Sequence, residues 1–593
     1  MKNNNIKLTG RIYPTTDSLK TTDFIDQPET PGNVGICFSG GGSVAMISAL
    51  GQMRALHHMG LLEKTRAIST VSGGSWATVP FIYLPEDISD ETFLGDFKTD
   101  LSDLTLADLK KHPKGYLGSI VSQESMRATL MVAVLLNKKK SSDFPNDRIW
   151  TYIIAENILK PYGLSNMDKS DGTEATWFTY SENTAQRIKA VNQDLPDQYF
   201  TYKSNGIRRP YHLCNSAMFV VEKDTQERLV APVQCTAIGT GIFANKVGHP
   251  WGGANVGKTV AGGGLLDSYI FDSQLKQNEG NIASVEKDSN NLFSLADITA
   301  NSSAFYGVLF GDKGKGIDPT YDYWSPDEAG TSEGTGFATK FTDGGAADNN
   351  GLLNLLAYED IERAVVFTNA LQPIYCDNKN DKAAPNFNIV VDQWLPPYFG
   401  YMPYLDHERC KSLNKKIEKT CKDKNKHCKK LQVGYNKYSD FPAVEIMDEN
   451  IHYFRKNQVF HSELFADVLA NFAKVVDSDW STPPILELEN LELLLNPWYN
   501  IREGRTLKKL LLFHYGPIKG WKNQLQAEVQ SRLKEYTRGI ARKKEPTEAL
   551  KHVFPNFSLT DTYMPAPIAN LFAHFTAYVT HTQRCKLEAI FSK

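Results

Sequence analysis

Two consecutive segments near the start of the chain each pass from an apolar strand, through glycines, into a helix. The first is VGICFSGGGSVAMISALGQMRALHHMGLLEK, beginning at Val34, and the second is RAISTVSGGSWATVPFIYL, Arg66 to Leu84. In the first, Val44, Ile47, Leu50, Met53 and Leu56 follow the helical period, and Gly60 supplies a stop. Neighbouring parallel strands need a crossover, normally a helix, so this pattern leaves few architectures open. It predicts an α/β fold with a central, largely parallel sheet flanked by helices.

The rest of the chain extends the pattern. Leu213–Val221, VAPVQCTAIGTGIF, ERAVVFTNA and TLKKLLLFHYG read as strands. GTGFATKFTDGGAADNNGLLNLLAYED reads as a third strand–turn–helix unit, while SLADITANSSAFYGVLF and Ala566–His581 read as helices. Residues 262–293 look loop-rich, with a short helix. Residues 1–32 read as a polar N-terminal arm, and 33–593 as one α/β domain. That domain carries a cap-like insertion at 85–205, including the helical patch SQESMRATLMVAVLLNKKK. It also carries a basic loop at 405–435 and a C-terminal extension from about residue 440.

Bulk properties exclude several classes. A net charge of −3 over 593 residues gives no electrostatic basis for nucleic-acid binding. Eight cysteines do not make a disulfide framework at this length. Cys37, Cys214 and Cys235 sit in apolar runs and read as buried thiols, and the spacing of Cys410, Cys421 and Cys428 fits no zinc signature. A reducing compartment is therefore expected. The N-terminus lacks the apolar region of a secretory signal, and the run Leu130–Leu136 is too short to span a bilayer. The expected location is cytoplasmic or peripheral to a membrane. The basic run Lys411–Lys430 reads as a solvated loop or as a contact for anionic headgroups.

Three glycine-rich turns carry chemical potential. In FSGGGSVAM, Phe38 to Met46, bare N–H groups between a strand and a helix suit an anion. No Gly-Lys-Ser/Thr is present for a phosphate loop. Gly40, Gly42 and Ala45 loosely match a dinucleotide turn, but the following strand ends in Val71-Ser72 rather than an acidic residue. An oxyanion hole needs only two such donors beside a nucleophile. In STVSGGSW, Ser72 lies where a strand turns into a helix, the position of a nucleophile elbow. Thr70 replaces the first glycine of G-x-S-x-G, and a plain serine N-cap is the alternative. In KFTDGGAADNN, Asp343 ends an apolar strand, either as a partner for a nucleophile or as an Asp-Gly turn. All three turns fall at strand C-termini, which converge on one edge of an open α/β sheet. A hydroxyl, a carboxylate and free N–H donors are the minimal kit for acyl transfer.

Gly40-Gly41-Gly42, Ser72 in SGGSW and Asp343 in DGG resemble the cytosolic phospholipase A2 / lysophospholipase catalytic domain and its patatin-like relatives. SLADITANSSAFYG and RPYHLCNSAMFVV are also similar to segments of that family, and the likeness is strongest over about residues 33–370. The resemblance implies an acyl hydrolase with a Ser72–Asp343 dyad, no histidine and no cofactor. Ser72 would accept the acyl group, Asp343 would move its proton, and the Gly41 and Gly42 N–H groups would hold the oxyanion. The implied substrate is a phospholipid or lysophospholipid, met at a transient membrane surface. The family usually has arginine, for the substrate phosphate, where this chain has Val44. Arg54 lies about 15 Å further along the helix, which leaves Arg208 and Arg209 as candidate replacements. The 32-residue arm leaves no room for the Ca²⁺-dependent C2 module of some animal relatives, so no metal requirement is expected.

Other readings stay open at this level. His57 and His58 read as helix-surface residues, but 13 histidines leave a Ser–His–Asp triad available. Val44 and Thr70 also suit a catalytically impaired lipid-binding or interaction protein, or an esterase for non-phosphorylated lipids. A dinucleotide-binding oxidoreductase rests on Gly40, Gly42 and Ala45 alone.

Overall fold

In the computed structural model the described residues are 4–16, 18–25, 32–110, 145–252, 257–305, 318–326, 336–369, 375–376, 389–390, 394–400, 449–465, 467–468, 471, 485–514, 518, 520–541, 554 and 566–592. The expected helical patch at 122–140, the basic loop at 405–435 and Cys410, Cys421 and Cys428 lie outside them.

Apolar, β-branched runs form the centre of a 15-stranded mixed sheet. Its strands in chain order are β1 (Asn5–Pro14), β2 (Val34–Phe38), β3 (Ala67–Val71), β4 (Tyr211–Glu222), β5 (Arg228–Cys235), β6 (Gly239–Ile242) and β7 (Gly248–Pro250). They continue with β8 (Gly264–Asp267), β9 (Gln274–Glu279), β10 (Ile282–Asp288), β11 (Thr320–Tyr323), β12 (Phe337–Asp343), β13 (Arg363–Thr368), β14 (Ile485–Glu492) and β15 (Thr506–His514). The parallel centre runs β15–β13–β2–β3–β4. β2 and β3 are buried at every residue, as unbroken apolar strands covered on both faces should be. Four helices bear on the site: α1 (Gly42–His58), α2 (Gly73–Ile82), α3 (Leu295–Ser302) and α4 (Ala566–Thr582). The α/β centre expected from the sequence is therefore present, with α1 and α2 following β2 and β3.

Antiparallel wings extend this centre on both sides. The stretch 262–293 is not a loop region: it contributes β8, β9 and β10. The N-terminal segment is drawn in as well, with β1 pairing antiparallel to β8 and β10. The C-terminal third adds β14 and β15 to the opposite edge.

Strand β4 organises the centre. Its first residues pair parallel with β3, with Val71 opposite Asn215. Its next residues pair antiparallel with β12, with Asp343 opposite Ser216. β3 and β12 thus occupy the same side of β4, run toward each other and end at consecutive positions of it. The third strand–turn–helix unit is accordingly antiparallel to the first two, unlike the common strand direction expected from the sequence.

Helix α4 closes over α1. A Cβ at Gly51 would fall 2.1 Å from the Ala573 carbonyl oxygen and 2.2 Å from Thr576 Oγ1, so glycine permits this approach. Thr576 Oγ1 also donates to the Ser48 carbonyl at 3.3 Å. Among the described residues no helix is long and apolar enough to cross a membrane. Gly51→Ala should force the two helices apart and cost about 1–3 kcal/mol, read as a lower urea midpoint. An unchanged midpoint would contradict this packing.

Candidate active site

Ser72 follows the last residue of β3 and precedes α2. Its φ of 50° and ψ of −120° are strained for a residue with a side chain. Its hydroxyl makes no helix-capping bond, which removes the plain N-cap reading. Instead it lies beside the Asp343 carboxylate, close enough to act toward lowering that group's pKa. The turn tolerates no bulk beside it: a Cβ at Gly73 would lie 2.0 Å from the Gly42 carbonyl oxygen. Thr70, where the elbow motif has glycine, points into a buried polar cluster, bonding Ser75 Oγ at 2.9 Å and His212 Nε2 at 2.8 Å.

The glycine turn after β2 lies against this elbow. A Cβ on Gly40 would be 3.1 Å from Ser72 Cβ. Gly41 and Gly42 have φ of 146° and 58°, conformations that favour glycine. Gly40 N–H is taken by the Asn349 carbonyl at 2.9 Å, whereas the N–H groups of Gly41 and Gly42 meet no acceptor among the described residues. Both glycines are only partly buried. Two donors at a helix start are thereby left without a protein acceptor among the described residues, and Gly42 lies against Gly73 of the Ser72 turn.

Asp343 is 7% exposed and Ser72 6%. The carboxylate accepts Gly345 N–H at 2.7 Å. Burial raises its pKa to about 7, and the Gly345 bond and the neighbouring Ser72 hydroxyl offset only part of that rise. No cation among the described residues acts on it. None of the described histidines bonds Ser72. His212, the nearest through the Thr70 cluster, is pushed down to about 3 by burial and stays neutral.

The two candidate arginines are elsewhere. Both precede Tyr211, which pairs with Ala67 at the opposite end of β3 from Ser72. At about 3.3 Å per residue the strand separates them from Ser72 by about 15 Å or more. Arg208 donates to the Glu63 and Thr65 carbonyls. Arg209 grips Asp90 through two nitrogens, donates to the Phe81 carbonyl and lies 4.1 Å from the centre of the Phe81 ring. Arg208 thus braces the turn before β3 and Arg209 the end of α2, so both are engaged in structural contacts remote from Ser72. Val44 is buried at 2% exposure within the core. Arg54 is also turned away, donating to the Leu94 carbonyl and meeting His574 Nδ1.

Residues not singled out from the sequence support the site. Asn215 on β4 donates to Ser69 Oγ at 2.7 Å and to the Thr70 carbonyl at 3.0 Å, bracing the end of β3. Its signal was a polar Asn-Ser pair inside the apolar run HLCNSAMFVV. Ser302, at the end of α3, accepts the Ser72 N–H. Trp150 packs against Trp76 and donates to the Ala300 carbonyl, and Arg148 pairs with Asp297, so part of the 85–205 stretch is seated on α3. Among the described residues no cluster of His, Cys, Asp and Glu has the arrangement of a metal site.

The raised Asp343 pKa has a stability consequence. The fold disfavours the charged carboxylate, so the cost is full above about pH 7, shrinks on acidification and vanishes below the unfolded value near 4. Asp343→Asn should therefore stabilise the protein at pH 8 by on the order of 2–4 kcal/mol and by little at pH 4. Thermal melts at the two pH values check this, and equal shifts at both would contradict it.

Among solved structures, human GIVD cytosolic phospholipase A2 aligns at 13% identity and a TM-score of 0.38, over 95% of this chain and 61% of that one. The same protein in complex with methyl gamma-linolenyl fluorophosphonate aligns at 12% identity and a TM-score of 0.34, over 95% and 59%. The chain thus spans about three fifths of the length of these structures. Among curated proteins no sequence matches it. Residues 34–198, which carry the glycine turn and Ser72, match the family model of the lysophospholipase catalytic domain.

Proposed function

We propose that this chain is a serine acyl hydrolase that cleaves fatty-acyl esters of phospholipids or lysophospholipids through Ser72 and Asp343. The observation that carries the reading is the juxtaposition of a strained, elbow-placed Ser72 hydroxyl and a buried carboxylate at consecutive positions of β4, beside two unengaged N–H groups. The match of residues 34–198 to the lysophospholipase catalytic domain supports the same chemistry and substrate class.

In this reading Asp343 takes the Ser72 proton as Oγ attacks the ester carbonyl carbon. The carbonyl π pair moves onto oxygen, and Gly41 and Gly42 N–H stabilise that oxyanion, an interaction worth roughly 3–4 kcal/mol per donor in comparable sites. The tetrahedral species collapses as Asp343 passes its proton to the leaving alcohol oxygen, leaving an acyl ester on Ser72. Water then attacks that ester, Asp343 takes a water proton, and the fatty acid leaves as the proton returns to Ser72 Oγ. A carboxylate with its pKa near 7 is matched to this exchange at neutral pH. No histidine is needed.

A specific observation bears on headgroup choice. With Val44 buried, Arg208 and Arg209 engaged elsewhere and no cation acting on Asp343 among the described residues, phosphate contributes little to binding at the reacting centre. An esterase for non-phosphorylated acylglycerols is the second reading that this favours.

Ser72→Ala and Asp343→Asn should each lower turnover of a lysophospholipid on the order of 10⁴-fold in folded protein. Near-native rates from Ser72→Ala would reject the proposal. For the wild type, kcat/KM should rise with pH through about 7 and level off above it, because the base must be unprotonated. A profile flat from pH 5 to 8 would remove Asp343 as the base. Lysophosphatidylcholine and monoacylglycerol of the same chain length should differ in kcat/KM by less than about tenfold, the loss of one charge-assisted hydrogen bond being worth 1.5–3 kcal/mol. A hundredfold preference for the phosphorylated substrate would show that a cation reaches the headgroup.

A further inference from the structure

The Ser72 and Asp343 turns come from strands far apart in sequence, and both end on a third segment. Helix α3 stops at Ser302, where its last carbonyls have no partner within the helix. The Ser302 carbonyl accepts Ser72 N–H at 3.1 Å and Gly344 N–H at 3.2 Å. Its hydroxyl oxygen accepts the same Ser72 N–H at 2.9 Å. Two residues on, the Ala304 carbonyl accepts Asp343 N–H at 3.1 Å and the Thr342 hydroxyl at 2.9 Å. Residues 302 and 304 therefore hold the backbone of both reacting residues.

We propose that Ser302 is a positioning residue that keeps the Ser72 hydroxyl and the Asp343 carboxylate in reacting register. Its side chain is the part of this splint that substitution can remove. Ser302 is fully buried. Its hydroxyl continues into a chain through Ser75 Oγ at 2.9 Å and Thr70 Oγ1 at 2.9 Å to His212 Nε2 at 2.8 Å. Every member of that chain is buried, so Ser302 acts through Ser72 rather than on the ester. Ser72 holds a strained conformation, which persists only where surrounding bonds over-determine it. Without the hydroxyl, Ser72 N–H keeps the Ser302 carbonyl alone, and the elbow relaxes away from the attack geometry. Small misplacements of a reacting group are costly in rate.

This inference rests on the Ser72–Asp343 reading, and the experiment separates the two. The probe is a fluorophosphonate, with the second-order labelling rate of Ser72 measured per folded molecule beside kcat and KM for a lysophospholipid. Ser302→Ala should lower kcat and the labelling rate about 10–100-fold while KM stays within twofold. Ser302→Cys, nearly isosteric and a weaker acceptor, should recover part of both, and it carries the test if the alanine variant does not fold. Wild-type kcat and labelling in Ser302→Ala, or in Ser302→Cys when alanine does not fold, would overturn the positioning role. So would a loss accounted for by the unfolded fraction. Failure of the wild type to label at Ser72 would instead overturn the underlying reading of the site.

Discussion

The site depends on two strands meeting end to end along a third. β3 runs beside the first part of β4 and stops opposite Asn215, and β12 approaches from the other direction and stops opposite Ser216. Because those partners are consecutive on one strand, backbone pairing brings the residue after β3 and the last residue of β12 together. Ser72 and Asp343 inherit their contact from this register. A slip of one residue in either ladder would turn the terminal side chain to the opposite face of the sheet.

Energetic tension is concentrated at the same point. Ser72 occupies a backbone conformation costing roughly 1–3 kcal/mol, and Asp343 is a carboxylate held where burial disfavours its charge. The surrounding bonds offset this tension. Asn215 ties β4 to the end of β3, Gly345 N–H supports the carboxylate, and the end of α3 accepts backbone donors from both turns. Under the proposed chemistry, the destabilised charge makes Asp343 a base tuned to neutral pH.

What the sequence revealed was local. β2, α1, β3 and α2 are written in runs of apolar residues at fixed periods, and SGGSW and TDGG mark turns that need small residues. Strand direction is not a local property, so the antiparallel course of β12 was hidden, although Asp343 at its end was not. β10 was hidden differently. Its buried face is Ala283, Val285 and Lys287, and the lysine breaks the apolar alternation. The Lys287 ammonium is satisfied by the Phe271 and Asp272 carbonyls, a pairing visible only once the strand has folded. The partners of Arg208 and Arg209 were hidden for a related reason: a cation's partners are set by tertiary structure, and here they are backbone carbonyls and Asp90. Ser302 lay within SLADITANSSAFYGVLF, which reads from the sequence as a helix, but its bonds to Ser72 cross from one turn to another and leave no periodic trace.

The central claim is that Ser72 carries the acyl group between the two half-reactions. The most direct measurement is to acid-quench the protein during turnover of a lysophospholipid and map the covalent adduct by peptide mass spectrometry. The account predicts that the peptide bearing Ser72 gains the mass of the fatty acyl chain, esterified at that hydroxyl. An acyl group trapped on a different residue while the substrate is being hydrolysed would contradict it.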